Sequence, residues 1–363
     1  MSKSRSSRES IVFIHGRPGP HPFHKALADS VGAKSIFVDY IMQWHDLDKP
    51  RWYRYLSVGV CSLLLRFIGK FRVLISEGPH ALPVFAKRLR IFDNGSITVA
   101  IMASETLYFL WTDYYPPKTK QRLLTVLRSF DALICVGAMQ ADLAHRVLGE
   151  GSPKIFKIEG SGISKEREAS LTKVEPKLDG CTLLFIANGS LGWRGWYKGV
   201  DIIAAAMRAV AKVHPNIRLK VVGEWPKSDI DQFIAENIET ASIIEFVGRA
   251  ENIEHYLEEA SLYIHIGRGD AFPVAILEAM AAGVPALISE WTGPRDIVRS
   301  VNPKLVVPVD VEKVVAAVLW YLSLSSPEKN LLSRKSRDVA SRFTTRNATI
   351  EFQKIIEALL ARR

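Results

Sequence analysis

Short apolar, β-branched runs alternate with helical stretches along almost the whole 363-residue chain. That alternation limits the fold to parallel strands with helices on both faces of the sheet. In the first half the strand runs are Ile11 to His15, Ser35 to Val38, Val73 to Ser76, Ile97 to Met102, Ala132 to Val136 and Ile155 to Ile158, with helical patterns at His24 to Val31 and Met139 to Leu148. The segment Ser164 to Gly180, SKEREASLTKVEPKLDG, is polar and predicts a connection with little to bury. After it the alternation restarts. Strands are expected at Thr182 to Ala187, Arg218 to Val222, Ile243 to Val247, Leu262 to Ile266, Ala286 to Ser289 and Leu305 to Pro308, and helices at Val200 to Val213, Ser228 to Asn237 and from Pro273. The expected class is α/β, with two Rossmann-like doubly wound parallel-sheet domains at residues 1–163 and 181–340, a linker at 164–180 and a helical tail at 341–363. Each domain is long enough to bury its own core.

The charge is unevenly placed. Residues 1–170 hold 24 Lys and Arg against 15 Asp and Glu, whereas residues 171–363 hold 24 against 23. Residues 49–90 carry nine basic side chains and the single acid Glu77, interleaved with Trp52, Tyr53, Tyr55 and Leu63 to Leu65. Such a mixture suits either a peripheral contact with an anionic membrane face or a core helix with a solvated basic rim. No zinc-finger, RNP or helix-turn-helix pattern supports nucleic acid as a partner. Cys61, Cys135 and Cys181 match no metal or redox spacing, which points to a reducing cytoplasm. The N-terminal MSKSRSSRES leads into a strand-like run rather than a signal-peptide core. The longest apolar run, Leu56 to Leu65, is about half of a bilayer span. The expected location is the cytoplasm, peripheral on the inner face of the cell membrane.

The stretch GRGDAFPVAILEAMAAGVP, residues 267–285, carries most of the chemistry. A glycine-bounded loop holding Asp270 runs into a helix with Pro273 in its first turn and Gly283 as its stop. Unpaired N–H groups around Ala271, Phe272, Pro273 and Val274 suit a phosphate, while Asp270 and Glu278 can accept sugar hydroxyls. A plain sheet-packing helix with solvated acids is the alternative. The loop IANGSLGWRGWYKGVD, Ile186 to Asp201, follows a strand and offers Arg194 and Lys198 to a diphosphate. In the first half, Gly16 and Gly19 sit in the turn after the first strand, with His21 and His24 beside them. Glu77 and His80 follow the third strand and Glu105 the fourth. The DxD-like triplets Asp46 to Asp48 and Asp229 to Asp231 follow no convincing buried strand, so no metal is expected.

These motifs resemble those of the family 4 glycosyltransferases. The acid-x7-Glu signature of that family is matched by Asp270 and Glu278, with Asp where Glu is usual, and its Lys-Gly by Lys198 and Gly199. KVVGEWP at 220–226 is similar to the Val-Gly-x-Gly turn, and the stretch EFVGRAENIEHYLEEASLYIH to the segment that holds the base, which would put Gly248 and Arg249 near the nucleotide. The resemblance covers Thr182 to Phe343 and the first half by layout only. It implies the GT-B fold, in which two Rossmann-like domains face each other across a cleft and the last helix crosses back to the first. It further implies a retaining hexosyltransferase that is metal-independent, has no cofactor beyond its UDP- or GDP-sugar donor, and works in glycan biosynthesis on a lipid-linked or glycan acceptor. Glu278 would hold the ribose and Asp270 the sugar hydroxyls. Arg194, Lys198 and the helix N-terminus would hold the diphosphate, Gly16 and Gly19 would approach the donor, and His21, His24, Glu77 and His80 would face the acceptor. The family's usual first-domain His is absent, with Ser104 and Glu105 in the matching region, so Glu105 is the substitute candidate. A non-catalytic membrane- or nucleic-acid-binding scaffold with a degenerate GT-B fold is the competing expectation.

Overall fold

The structure is a computed structural model that describes residues 11–16, 19, 21–37, 71–88, 96–149, 153–160 and 162–361. The N-terminal decapeptide, Asp46 to Asp48, Cys61, and the basic aromatic stretch up to residue 70 and at 89–90 lie outside these residues. Contacts divide the chain into two compact units, residues 1–162 with 345–363, and residues 163–344.

The first unit holds six parallel strands, β1 (Ile11–His15), β2 (Lys34–Phe37), β3 (Val73–Glu77), β4 (Ile97–Met102), β5 (Ala132–Val136) and β6 (Lys154–Ile158), in the order β2-β1-β3-β4-β5-β6. All five residues of β1 and of β5 and all six of β4 are buried. Such continuous burial is what a parallel sheet covered on both faces requires. The terminal helix Thr345–Ala361 belongs to this unit. Its apolar stripe of Ala348, Phe352, Ile356 and Leu359 is buried, and Gln353 bonds the carbonyl of Ser30. Within the basic stretch, Lys87 is held by Asp131 at 2.6 Å.

The second unit repeats the plan with β7 (Thr182–Ile186), β8 (Arg218–Val222), β9 (Ile244–Gly248), β10 (Leu262–His265), β11 (Ala286–Ser289) and β12 (Val306–Val307), in the order β12-β11-β10-β7-β8-β9. The strand order reverses between β7 and β10, which leaves a crevice at their carboxyl ends. The core is one cluster reaching from Leu183 and Phe185 to Tyr263, Ile276 and Tyr321.

The segment expected to be a polar connection is instead part of this unit. Ser164 caps a helix at Lys165–Leu171 by accepting from the Arg167 N–H, and Leu171, Val174 and Leu178 are buried. These three residues are spaced so that each is buried, and the many charged residues between them conceal this in the sequence. The central helix covers Val274–Ala281, and Pro273 is its N-cap residue rather than part of its first turn. Its far end closes as expected. Gly283 has φ +80°, its N–H meets the Met280 carbonyl at 3.0 Å, and the Val284 N–H meets Ala279 at 2.9 Å, a Schellman closure.

Arg337 completes that helix end. Its guanidinium donates to the carbonyls of Ala281 and Ala282 and also to those of Thr172 and Val174. A cation is electrostatically favoured at a helix C-terminus. Here it also fastens the 165–178 segment to the helix, although burial lowers the Arg337 pKa. Arg337→Leu leaves these carbonyls without their donor and is expected to destabilise the second unit by about 2–3 kcal/mol, read from urea unfolding. Arg337→Lys should recover part of the loss.

Candidate functional site

Two loops meet at the crevice of the second sheet. The loop after β7 forms the short helix Trp193–Lys198, which ends at Gly199 with φ +75°. A Cβ at residue 199 would lie 1.9 Å from the Ile266 carbonyl oxygen, so the loop after β10 passes this point only because residue 199 is glycine. The Arg268 N–H then bonds the Tyr197 carbonyl at 2.8 Å. The Arg268 guanidinium stacks on Trp196 at 4.9 Å and grips both oxygens of Asp201 at 2.9 and 2.8 Å. On the other flank Asp270 pairs with Thr292 in an isolated bridge, and its carbonyl accepts from the Gly293 N–H at 2.8 Å.

So held, the Asp270 carboxylate meets two partners. Its Oδ2 lies 2.6 Å from Lys198 Nζ and 3.1 Å from His265 Nε2. The side chains are 11% exposed for Asp270, 18% for Lys198 and 0% for His265, so these charges interact with little screening. Burial alone would raise the Asp270 pKa, but the Lys198 ammonium and His265 more than offset it and hold the carboxyl well below the usual range. Burial pushes the His265 imidazole down, with Asp270 opposing. The imidazole is therefore neutral at pH 7 and donates its Nε2 proton to the carboxylate. The His265 ring lies near those of Phe185 and Tyr263, and its buried Nδ1 has no hydrogen-bond partner among the described residues.

Just beyond Asp270, after β10, the helix Val274–Ala281 begins with no side chain from the described residues capping its first N–H groups. Glu278, a turn and a half in, accepts from Arg167 Nε at 2.9 Å. Arg167 also pairs with Glu254, whose Oε1 accepts from Ser170 Oγ at 2.8 Å. Burial would raise the Glu254 pKa, yet Ser170 and Arg167 together lower it.

The structure thus brings Lys198 and Asp270 together. Arg194 is exposed on the same short helix as Lys198. Gly248 ends β9 with φ +82°, and Arg249 reaches Glu224 at 3.3 Å on the surface. Asp229 and Asp231 have other partners, the Leu191 N–H at 2.7 Å and Lys227 at 3.0 Å. His265, Arg167, Glu254 and the Arg268–Asp201 pair were not anticipated. His265 carries a usable signal, a histidine closing a buried strand five residues before the acid. The others are distant in sequence from what they hold.

The first unit has a second cluster, also where its strand order reverses, between β1 and β3. His24 Nδ1 lies 2.8 Å from Glu77 Oε1, and His15 Nδ1 lies 3.7 Å from Glu77 Oε2. His15, not anticipated, is fully buried and its Nε2 reaches Ser35 Oγ at 3.1 Å. The His21 ring is 5.3 Å from that of His24. Gly16 is buried at the end of β1, and Gly19 has open space where a Cβ would lie. His80 is buried, and its N–H bonds the carbonyl of Gly78 at 2.9 Å. Glu105 is the N-cap residue of the helix Thr106–Trp111 and does not cap it through its side chain. After burial, its carboxylate is the next cause that pushes the Tyr115 phenol up.

The ion pair sets a pH dependence. Because the folded Asp270 pKa is depressed, the stability it contributes is present above the unfolded carboxylate range and is lost as pH falls toward the folded value. In Lys198→Gln only His265 is left to offset burial and the Asp270 pKa rises. The variant should lose about 3 kcal/mol at pH 7, and its deficit should narrow on acidification toward pH 5, as thermal unfolding at a series of pH values would register.

Solved structures of low sequence identity share the fold. Sucrose-phosphate synthase from Thermosynechococcus elongatus has a TM-score of 0.70 at 16% identity, covering 98% of this chain and 100% of that one. Anabaena HepE, solved with UDP and glucose, has a TM-score of 0.66 at 12% identity, covering 98% and 100%. These likenesses show the GT-B fold of two Rossmann-like units. Among curated proteins, an exopolysaccharide phosphotransferase of Streptomyces coelicolor is 31% identical over 171 residues, 46% of this chain and 18% of that protein. A phosphatidyl-myo-inositol mannosyltransferase of Mycolicibacterium smegmatis is 26% identical over 216 residues, 57% of this chain and 54% of that one. The chain therefore spans about half or less of the length of these relatives. Residues 182–323, which hold Lys198, His265, Asp270 and Glu278, match the family model of Glycosyl transferases group 1.

Proposed function

We propose that the protein is a glycosyltransferase that moves a hexose, with retention of configuration, from a nucleotide diphosphate sugar to an acceptor bound by its first unit. The observation that carries this reading is the Lys198–Asp270 pair at the switch point of the second sheet, directly before an uncapped helix N-terminus. A diphosphate leaving group needs fixed positive charge as the bond to the sugar breaks. Lys198, Arg194 and the first N–H groups of the helix, from Val274, supply it, with Ala271, Phe272 and Pro273 shaping the approach. Asp270, kept ionised, accepts from hexose hydroxyls through the carboxylate that Lys198 and His265 hold in place. Glu278 accepts from the ribose, and Gly248 and Arg249 lie toward the base. This division of labour gives a divalent cation no role at the diphosphate, so the reaction is metal-independent and needs no further cofactor.

In the first unit Gly16 and Gly19 admit the donor closely, and the His24–Glu77 pair with His21 and His80 binds acceptor hydroxyls. Glu105 stands where family members carry the histidine that meets the transferred sugar, and takes a hydroxyl of donor or acceptor.

Thermal unfolding against UDP- and GDP-sugars tests the donor reading. One donor at a hundredfold excess over its Kd should stabilise the protein by about 2.7 kcal/mol. The effect should persist in EDTA and vanish in Lys198→Ala and Glu278→Ala. No stabilisation by any nucleotide sugar would favour the scaffold alternative.

Two observations favour a lipid-linked acceptor at the cytoplasmic membrane face. One is the excess of basic and aromatic residues at 49–90, and the other is the similarity to phosphatidyl-myo-inositol mannosyltransferases. Among the described residues no helix is long and apolar enough to cross a membrane, so contact would be peripheral. The protein should sediment with anionic phospholipid vesicles at low salt and be released by raising the salt. Failure to sediment would favour a soluble glycan acceptor.

A further inference from the structure

We propose that Arg167 is a positioning residue for nucleotide recognition, fixing the Glu278 carboxylate so that it selects a ribose diol. This rests on the donor reading above. Arg167 lies on the helix Lys165–Leu171, more than a hundred residues from the acid it holds, and its guanidinium is shared between two carboxylates. Nε reaches Glu278 Oε1 at 2.9 Å, while Nη1 is anchored by Glu254, which Ser170 Oγ buttresses at 2.8 Å. The planar fork thereby has a fixed orientation before any ligand arrives.

The consequence for Glu278 is geometric and electrostatic. One carboxylate oxygen is occupied by Arg167, and among the described residues Oε2 has no hydrogen-bond partner. With the side chain 18% exposed, Oε2 is the acceptor left to a ligand. A glutamate side chain with no partner to hold it samples several rotamers, and ordering it on binding costs free energy. Arg167 removes that cost by ordering it beforehand. Arg167 also stands between Glu278 and Glu254, two carboxylates that would otherwise face each other with no cation between them. Removing it frees the rotamer of Glu278 and adds like-charge repulsion, and both weaken its bond to a hydroxyl.

A role confined to stability would lower the unfolding temperature but leave the preference between two nucleotides untouched, so discrimination is the informative readout. Calorimetric Kd values are measured for UDP against 2′,3′-dideoxy-UDP and for GDP against 2′,3′-dideoxy-GDP, with thermal unfolding run alongside. In the wild-type protein one ribonucleotide should bind about tenfold or more tighter than its dideoxy form, as loss of a hydrogen bond to a charged group implies. Arg167→Gln should reduce that ratio to below about twofold while binding of the dideoxy form stays within about threefold of wild type. If Arg167→Gln does not fold, Arg167→Lys serves. It keeps the charge but lacks the fork, and should retain a ratio of about threefold. A folded variant of either kind that keeps the full wild-type ratio overturns the proposal. Wild-type binding without discrimination overturns it together with the Glu278–ribose contact while leaving nucleotide binding in place, and no wild-type binding to either diphosphate overturns the donor reading as well.

Discussion

The candidate donor site depends on one close approach of backbone to backbone. The Ile266 carbonyl occupies the space that a side chain at residue 199 would need, and the Ala271 carbonyl lies 1.5 Å from where a Cβ at residue 293 would be. Glycine at both positions lets three loops, after β7, β10 and β11, pack against one another at the carboxyl edge of the sheet. Lys198 and Asp270 are 72 residues apart in sequence, yet this packing leaves their charged atoms 2.6 Å apart. The Arg268 guanidinium, wedged between Trp196 and Asp201, fixes the same junction from its outer side. A larger residue at 199 would force the β10 loop away and separate the ion pair, so the electrostatics of the site follow from a steric fact.

The ion pairs explain how the site tolerates burial of charge. A buried carboxylate without a partner would take up a proton, because desolvation disfavours its charged form. Asp270 avoids this through Lys198 and His265, and Glu254 through Arg167 and Ser170. The two acids suited to sugar hydroxyls, Asp270 and Glu278, are thus each held by a cation from a different loop or helix. The cations are in turn placed by the fold, Lys198 by the Gly199 turn and Arg167 by the Ser164 cap.

How far these features can be read from the sequence follows from their physical range. Strands such as β1, β4 and β5 were legible because a parallel strand buried on both faces must be a continuous apolar run, and the less buried β2, β6 and β9 through their short β-branched and aromatic runs. Lys198 and Asp270 could be singled out as candidates because loops at the carboxyl ends of strands are where α/β sheets place ligands, and Glu278 because it lies on the helix that follows. The segment at 164–180 was misread for the opposite reason. Its burial rests on Leu171, Val174 and Leu178 alone, spaced among charged residues that face solvent. Pro273 was placed one position too far into its helix, since proline suits the N-cap and the first turn alike. Arg167, Arg337 and the Arg268–Asp201 pair left no local trace. A guanidinium that caps a distant helix and one that is merely solvated look the same until the chain is folded.

The same helix, Val274–Ala281, joins these long-range contacts into one unit. Its first turn follows Asp270 directly, Glu278 in its middle is held by Arg167, and its last carbonyls are capped by Arg337. Arg337 also holds the carbonyls of Thr172 and Val174, directly after the helix that carries Arg167. Two arginines therefore tie the 165–178 segment to the central helix, one at the site and one at the helix end. Displacing that segment would loosen the Glu278 carboxylate and take the Thr172 and Val174 carbonyls from Arg337. The orientation of Glu278 and the stability of the helix that bears it are thus coupled through the same stretch of chain, a polar segment that two arginines hold within the second unit.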